Sequence, residues 1–203
     1  RNRQDWNRGF LFTILEIPAQ DSLLTQGITT IAVGHCGTSL APLSHPEALK
    51  SVQKWHSLAG ANVDWLTFAE YLQALRSYPL GVNVLSLVGH STLRRGLLRD
   101  EIRPATSEEI KIMEKLLADS LAMGAGGVSL GLVYAHEVDA SHEELVSVAR
   151  MIASENRLVS VHLRSEGAHL PEALAEVLGL APDAAGAKFK ISHFKIRGQS
   201  NWR

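Results

Sequence analysis

Apolar residues along the chain fall into short, nearly continuous runs that are separated by longer stretches with helical periodicity. Five of these runs are rich in Val, Ile and Leu and are bounded by glycine or polar residues, so we predict strands that are buried on both faces. The predicted strands are Ile28–Gly34, Val82–Gly89, Gly127–Tyr134, Leu158–Leu163 and Lys188–Ser192, and Phe10–Leu15 is a candidate for a sixth.

The segments between these strands carry apolar residues at every third or fourth position, which predicts amphipathic helices. Two of the helices open with capping-box spacing, Thr106 with Glu109 and Ser141 with Glu144. The predicted helices are Pro46–Leu58, with Ser44 as a candidate cap, Thr67–Arg76, Ser107–Met123, Ser141–Ser154 and Leu170–Leu180. Strand thus alternates with helix five times along the chain, which calls for a parallel sheet covered by helices.

Two parallel α/β architectures are compatible with this order. A doubly wound nucleotide-binding fold needs a glycine-rich turn after its first strand, but the turn here reads GHCGTSLAP and contains neither GxGxxG nor GxxxxGK[ST]. A (β/α)8 barrel instead places its chemistry at the C-terminal ends of several strands. Reactive side chains do lie at the ends of the predicted strands, namely Cys36, His90, Tyr134, His162 and His193. We therefore predict an α/β fold, a partial TIM-type barrel with five to six parallel strands that forms one partial catalytic domain over residues 1–203.

Composition and charge indicate which classes of partner the protein can bind. The 203 residues are 45% hydrophobic and 20% charged with a formal net charge of −1, which is typical of a globular domain in water. The sequence has no basic stripe that would bind nucleic acid and no polybasic segment for an anionic membrane. None of its apolar stretches approaches the ~20 residues of a membrane-spanning helix, and the polar N-terminal residues show no signal peptide. These features predict a cytoplasmic protein that acts on a small molecule.

The placement of cysteine and histidine predicts a metal site. The single cysteine, Cys36, excludes an internal disulfide and suits a reducing compartment. Zinc prefers thiolate and imidazole ligands, and Cys36, His162 and His193 lie at the ends of three different strands. Because the ends of parallel barrel strands meet at one mouth, we predict that these residues bind zinc and leave a position for water, whose pKa zinc lowers to about 7. The alternative is a buried cysteine and two ordinary strand-end histidines.

Five further residues are candidates for supporting roles. Tyr134 and Lys195 could together hold a substrate carboxylate, or could be ordinary rim residues. His90, in LVGHSTLRRG, could donate a hydrogen bond to the substrate, orient a metal ligand or simply lie in a loop. Arg164 and Glu166, in HLRSEG, could pair beside the metal, or form a surface ion pair worth little. No role is assigned to His45, His56, His136, His142 or His169.

Five segments resemble, in the same order, segments of one enzyme family. ITTIAVGHCGTSLAP resembles a segment in which a cysteine ligand follows GVTT, and NVLSLVGHSTLR resembles a GH..LR segment. MGAGGVSLGLVYAHEVDASHEEL resembles a GA.G.S.GL.Y segment, and VSVHLRSEG and ISHFKIRGQSNW resemble two histidine segments, of which the second ends in G..NW. The likeness begins at about Gln20, whereas residues 1–20 match poorly. The family is that of the N-acyl-D-amino-acid deacylases, or D-aminoacylases, within the amidohydrolase superfamily.

This resemblance implies a zinc-bearing barrel that hydrolyses an N-acyl-D-amino acid to a carboxylate and a D-amino acid. It implies that Cys36, His162 and His193 hold the tightly bound zinc, and that Tyr134 and Lys195 bind the substrate carboxylate. Two features of the family are missing from the sequence. An HxH pair is expected upstream of the GHCG segment, where this sequence has no histidine. The family's catalytic aspartate follows its last strand, so we expect it to lie outside this chain.

Three alternatives remain beside a deacylase. The chain could be a catalytically inactive fragment or paralogue that binds a metal or a partner. It could be a cyclic-amide hydrolase, although such enzymes usually bridge their metals with a carboxylated lysine, whereas the GHCG segment supplies a cysteine. A doubly wound sheet with an unrelated function is the third. Acyl-group preference and oligomeric state are left open by the sequence.

Overall fold

A computed structural model describes residues 14–53, 63–184 and 186–202, and in that part of the chain parallel strands alternate with helices. The strands are β1 Thr30–Val33, β2 Asn83–Ser86, β3 Val88–Gly89, β4 Gly127–Gly131, β5 Leu158–His162 and β6 Lys188–Ile191. The helices are α1 Asp21–Leu24, α2 Pro46–Gln53, α3 Phe68–Arg76, α4 His90–Leu98, α5 Ser107–Ala122, α6 His142–Ser154 and α7 Leu170–Asp183, and a 3₁₀ turn follows at Gln199–Asn201.

All of the strand pairs are parallel and follow the order of the chain, as in the wall of a barrel. Strand β1 pairs with β2, while β3, β4, β5 and β6 form a second ladder in that order. The ladders join at Leu87, whose N–H donates to the carbonyl of Val33, and the carbonyl of Ser86 accepts from the N–H of Gly126. The run Val82–Gly89, predicted as one strand, therefore pairs with β1 in its first half and with β4 in its second.

The hydrophobic core lies between the strands and the helices outside them. In β4 and β5, Val128, Leu130, Val159 and Val161 are fully buried, and burial of each such side chain contributes about 1.5–3 kcal/mol. The helices cover them with apolar stripes that include Met113 and Leu117 of α5 and Leu145 and Ile152 of α6. Alternate positions of the strands carry polar residues, such as the register pair Ser129 and Ser160, which point to the opposite face of the wall.

Helix α4 is absent from the sequence prediction, which ends a strand at Gly89 and assigns no helix to the segment that follows. Eight of its nine residues are buried, so the helix shows no exposed polar face and no apolar stripe. Its polar side chains obtain partners inside the protein; Arg94, for example, pairs with Glu144. Tertiary contacts stabilise this helix where the local pattern does not predict one.

The predicted ends of the other elements agree closely with the observed ones. Helix α5 ends one residue before the predicted Met123, whereas α7 continues three residues beyond Leu180 to Asp183. The helix predicted at Pro46–Leu58 is described as far as Gln53, and its remainder lies outside the described residues. Most of the candidate strand Phe10–Leu15 also lies outside them, and residues 14–16 are helical. Within the described ranges, no helix combines the length and the apolar character that crossing a bilayer demands.

The capping box at the start of α5 provides a test of the local sequence prediction. Thr106 Oγ1 accepts from the N–H of Glu109 at 3.2 Å, and Glu109 Oε2 accepts from the N–H of Thr106 at 2.8 Å. We expect Thr106→Ala to lower the free energy of unfolding by about 1 kcal/mol in urea denaturation. Ser107→Ala, at the exposed next residue, should change it by less than about 0.5 kcal/mol. Equal losses in the two variants would contradict the assigned cap.

Candidate metal centre

Three side chains from different strand ends converge at one point of the molecule. Cys36 lies in the loop after β1, His162 is the last residue of β5, and His193 follows β6. One ligand atom from each residue lies within 4.8 Å of the other two. The Sγ of Cys36 is 3.5 Å from Nε2 of His193, and the rings of His162 and His193 meet edge to face with centroids 4.2 Å apart.

The donor set and its spacing fit zinc. Tetrahedral zinc, with Zn–S ~2.3 Å and Zn–N ~2.0–2.1 Å, places its ligand atoms roughly 3.3–3.6 Å apart. The 3.5 Å between Cys36 Sγ and His193 Nε2 lies in that range. Cys36 and His162 are buried while His193 is only partly covered, so the cluster is accessible from one side. Three protein ligands with an open fourth position are typical of catalytic zinc rather than structural zinc.

Glycines shape the loop that carries Cys36. Cys36 has a positive φ of 57°, and Gly34 and Gly37 on either side have φ of 84° and 77°. A β-carbon on Gly34 would lie 2.4 Å from the carbonyl oxygen of Leu87, and one on Gly37 would lie 1.8 Å from Oε1 of Glu137. Only glycine fits at both positions. The loop can therefore turn tightly enough to bring the thiol to the two histidines.

Glu166 links the histidines to Lys195. Its Oε1 lies 2.7 Å from Nδ1 of His193, 2.7 Å from Nζ of Lys195 and 3.5 Å from Nε2 of His162. Burial opposes ionisation of this carboxyl group, but Lys195 and the two histidines lower its pKa overall. Burial and the charge of Lys195 lower the pKa of His193. The imidazole of His193 is therefore neutral at pH 7, which is the form that binds a metal.

Tyr134 approaches His162 from the other side. Its hydroxyl oxygen is 3.2 Å from Nδ1 of His162, and the two rings meet edge to face with centroids 5.1 Å apart. Lys195 is 43% exposed and Tyr134 is partly exposed. The two residues predicted to hold a carboxylate thus both lie beside the predicted ligands, where a small molecule in solution can reach them.

The predicted pair of Arg164 with Glu166 is wrong. The guanidinium of Arg164 instead pairs with Glu176 of α7 at 2.7 Å and donates to backbone carbonyls of the loop that follows β4. The chain bends at Arg164 and again at Glu166, so closeness in sequence does not bring the two side chains together. Glu166 faces the histidines and Lys195, while Arg164 ties the end of β5 to the outer layer.

His90 lies in a buried chain of charges that the sequence prediction missed. Its Nδ1 is 3.1 Å from Oε2 of Glu137 and its Nε2 is 2.8 Å from Oε1 of Glu144, which also pairs with Arg94 at 2.5 Å. All four side chains are at most 1% exposed. Because both ring nitrogens face carboxylates in the interior, the structure does not place His90 where a substrate could reach it.

Three further polar residues near the site were also missed as functional candidates. Glu144 has the capping-box spacing from Ser141, and its N–H donates to the Ser141 hydroxyl at 3.2 Å, but its carboxylate turns inward to His90. His35 lies 3.3 Å from the hydroxyl of Ser160, and burial together with the charge of Lys190 lowers its pKa to about 4. Its position beside the cysteine is the sequence signal that could have drawn attention to it. Glu137 carries no such local signal.

The buried charges should make the stability of the fold sensitive to alkaline pH. Burial disfavours the protonated form of His90, but Glu137 and Glu144 outweigh it and raise the pKa to about 9 from 6.5. A raised pKa stabilises the folded state fully below pH 6.5, and this contribution is lost as the pH rises from 6.5 through 9. We expect the free energy of unfolding to fall by about 3 kcal/mol over that range in urea denaturation. His90→Gln, although less stable, should show a much flatter profile; an equally steep one would contradict this assignment.

Comparison with known proteins identifies relatives that are named as a D-aminoacylase and as an N-acyl-D-glutamate deacylase. No protein-family model matches it. A D-aminoacylase of Alcaligenes xylosoxydans xylosoxydans is 38% identical over 182 residues, which cover 88% of this chain and 36% of the relative. An N-acyl-D-glutamate deacylase of the same bacterium is 35% identical over 188 residues, which cover 93% of this chain and 38% of the relative. The chain belongs to the D-aminoacylase family. It spans less than two fifths of the length of these relatives.

Solved structures of D-aminoacylase-family proteins superpose on most of the chain. One D-aminoacylase, described as defining a novel subset of amidohydrolases, covers 94% of this chain with a TM-score of 0.84 at 36% identity, over 40% of its own length. An N-acyl-D-glutamate deacylase from Bordetella bronchiseptica, complexed with zinc and a phosphonate mimic of the tetrahedral intermediate, covers 95% with a TM-score of 0.83 at 33% identity, again over 40% of its length. Another D-aminoacylase structure concerns a binuclear metal centre. The predicted partial barrel of the TIM type is thereby confirmed.

Proposed function

We propose that this D-aminoacylase-family chain is part of a zinc-dependent hydrolase that removes the acyl group from N-acyl-D-amino acids. The observation that carries the proposal is the convergence of one thiol and two imidazoles at the strand ends of the barrel wall. Relatives that share 35% to 38% of its residues are named as deacylases of such compounds. Because the chain covers 36% to 38% of these relatives, the proposal concerns the activity of the whole protein.

Cys36, His162 and His193 are the residues that would hold the metal. Zinc bound there would act as a Lewis acid and lower the pKa of a water molecule to about 7. Glu166, at 2.7 Å, accepts the proton on Nδ1 of His193 and so leaves the lone pair on Nε2, the atom that faces Cys36. Carboxylates that orient a histidine ligand in this way fix its tautomer and its ring orientation. Glu166 therefore supports the metal ligands from outside.

Lys195 and Tyr134 are the residues that would bind the α-carboxylate of the substrate. They border the metal ligands on two sides, Lys195 beside His193 and Tyr134 beside His162. An ammonium group and a phenolic hydroxyl can both donate hydrogen bonds to a carboxylate. Binding of that group would hold the scissile amide near the metal ligands and would favour N-acyl amino acids over simple amides.

Deacylation is tested with the zinc-loaded full gene product. Release of free amine is measured for N-acetyl derivatives of several D-amino acids and for their L-enantiomers. Ring opening is measured for hydantoin and dihydropyrimidine. We expect the D-series to be hydrolysed and the L-series and cyclic amides to be poor substrates. Hydrolysis of the cyclic amides alone would support a cyclic-amide hydrolase. A zinc-loaded protein that hydrolyses none of them would support an inactive paralogue, and either outcome would contradict the proposal.

The role of Lys195 can be tested by removing its charge. We expect Lys195→Ala to lower kcat/KM by about 10–100-fold, mainly through KM, because a charge-assisted hydrogen bond to the substrate is lost. Lys115→Ala is the matched control, since Lys115 is an exposed residue of α5 that pairs with Asp119 on the outer surface. Zinc content is measured for each variant, because Lys195 also contacts Glu166. Unchanged kinetics at full zinc content would contradict the assignment.

A further inference from the structure

We propose that Glu137, held by His90, is a positioning residue that fixes the Cys36 loop, here residues 34–39, and thereby the direction of the thiol. This inference rests on the proposed zinc site, because the direction of the Cys36 thiol matters for binding that metal. Neither Glu137 nor His90 belongs to the cluster of Cys36, His162 and His193, so their effect on a metal would be indirect.

The carboxylate of Glu137 lies at the contact between the end of β4 and the Cys36 loop. Its Oε2 accepts from the N–H of Gly131 at 2.8 Å. Its Oε1 faces Gly37, where an added β-carbon would lie only 1.8 Å away. The backbone of Gly131 packs closely against the Cys36 loop, since a β-carbon on Gly131 would lie 2.3 Å from the carbonyl oxygen of Cys36 and one on Gly37 would lie 3.1 Å from the nitrogen of Gly131. Displacement of Glu137 would therefore loosen the contact between Gly131 and the backbone of Cys36 and Gly37.

Glu137 is itself fixed by the buried charges behind it. It is fully buried and pairs with His90, which contacts Glu144, which in turn pairs with Arg94. Along this row negative and positive groups alternate, so each buried carboxylate has a neighbouring cation. A row of opposite charges with hydrogen bonds at both ends holds its members in one arrangement, because loss of any member leaves a buried charge unpaired.

One oxygen of Glu137 lacks a hydrogen bond, which argues against a purely stabilising role. Within the described ranges, the buried Oε1 has no hydrogen-bond donor. A buried acceptor without a donor costs about 1–3 kcal/mol. A fold selected for stability alone would place a donor there or an apolar side chain. The cost is understandable if the carboxylate serves to press against Gly37 and hold the loop.

Helix α4 contacts both Glu137 and the Cys36 loop. It begins at His90, which holds Glu137, and two residues later the N–H of Thr92 donates to the carbonyl of Gly37 at 3.1 Å. The hydroxyl of Thr92 also accepts from the N–H of Ser39 at 2.9 Å. The loop is thus bonded to α4 directly and is supported by Glu137 from the side of β4. Several contacts at once therefore hold the backbone of Cys36 at its positive φ of 57°.

Thiol labelling tests this role without any metal. Cys36 is the single cysteine of the chain and is 4% exposed, so Ellman's reagent applied to the metal-free chain reports on its loop alone. We expect Glu137→Ala to raise the labelling rate by about 10-fold or more, because local opening exposes the thiol. Glu137→Gln, which retains the length and one acceptor for Gly131, should give an intermediate rate. Thr106→Ala, which weakens α5 and not the loop, should label like the wild type.

Cobalt binding provides the second readout. The thiolate-to-cobalt charge-transfer band reports on Cys36, whereas the ligand-field bands report on the whole site. For Glu137→Gln we expect a weaker charge-transfer band relative to the ligand-field bands and a cobalt affinity about 10–100-fold lower. Normal labelling and a normal cobalt spectrum in a folded Glu137→Gln protein would overturn the inference, even if Glu137→Ala failed to fold. A wild-type chain that binds no cobalt would contradict the proposed zinc site, and its labelling rates would still decide whether Glu137 fixes the loop.

Discussion

Glu144→Ala is expected to lower the free energy of unfolding by about 3–5 kcal/mol, the range for removing one partner of a buried ion pair. The carboxylate contacts His90 at 2.8 Å and Arg94 at 2.5 Å, and neither cation is more than 1% exposed. Removing it leaves two positive groups in the interior without their shared partner. Although burial favours the neutral acid, His90 and Arg94 lower the pKa of Glu144 to about 2, so the pair is intact throughout the neutral range.

The neighbouring residue supplies the control for this prediction. Glu143 is an exposed residue in the same turn of α6, and Glu143→Ala should change stability by less than about 0.5 kcal/mol. Urea denaturation at pH 7 measures both variants against the wild type. A loss of less than about 1 kcal/mol in Glu144→Ala would mean that the buried charges are not coupled as the contacts indicate.

Cys36→Ala is expected to lower zinc affinity by more than about 100-fold. Loss of a residue that merely orients a ligand costs about 10–100-fold in metal affinity, and loss of one of three ligands should cost more. The cysteine is small and buried, so alanine should leave the fold intact.

Affinity is measured by competition with a chromophoric chelator. His169→Ala is the control, because His169 is exposed at the start of α7 and lies outside the cluster. Equal zinc affinity in Cys36→Ala and the wild type would contradict the assignment of Cys36 as a ligand. A comparable loss in His169→Ala would show that the assay measures non-specific binding to histidine.

The sequence was sufficient to predict the barrel wall, because strands buried on both faces leave runs of apolar residues. The runs at Gly127–Tyr134 and Leu158–Leu163 contain β4 and β5, which are buried on both faces. The predicted burial on both faces is wrong for β1, β2 and β6, where most residues are exposed or half-buried. Helix α4 could not be found in this way, since nearly all of its side chains are buried and some of the polar ones, such as Arg94, have partners from distant segments. Hydrophobic periodicity detects a helix only where one face meets water.

In the candidate site, too, the sequence revealed what topology decides but not what depends on contacts between distant residues. Topology placed Cys36, His162 and His193 at one end of the wall, because the C-terminal ends of parallel strands lie together. It could not reveal the partner of His90, since Glu137 lies 47 positions away in sequence. It also suggested a wrong partner for Arg164, because the chain bends after β5 and Glu176 of α7, 12 positions away, supplies the carboxylate.

Zinc K-edge X-ray absorption of the reconstituted chain tests most directly the claim that three strand ends form one zinc site. We expect one sulfur neighbour at ~2.3 Å and two imidazole nitrogens at ~2.0–2.1 Å. The sulfur should disappear in Cys36→Ala, and one imidazole should disappear in His193→Ala. A wild-type spectrum with only oxygen and nitrogen neighbours would show that Cys36 does not bind zinc, and would contradict a zinc site formed by Cys36, His162 and His193.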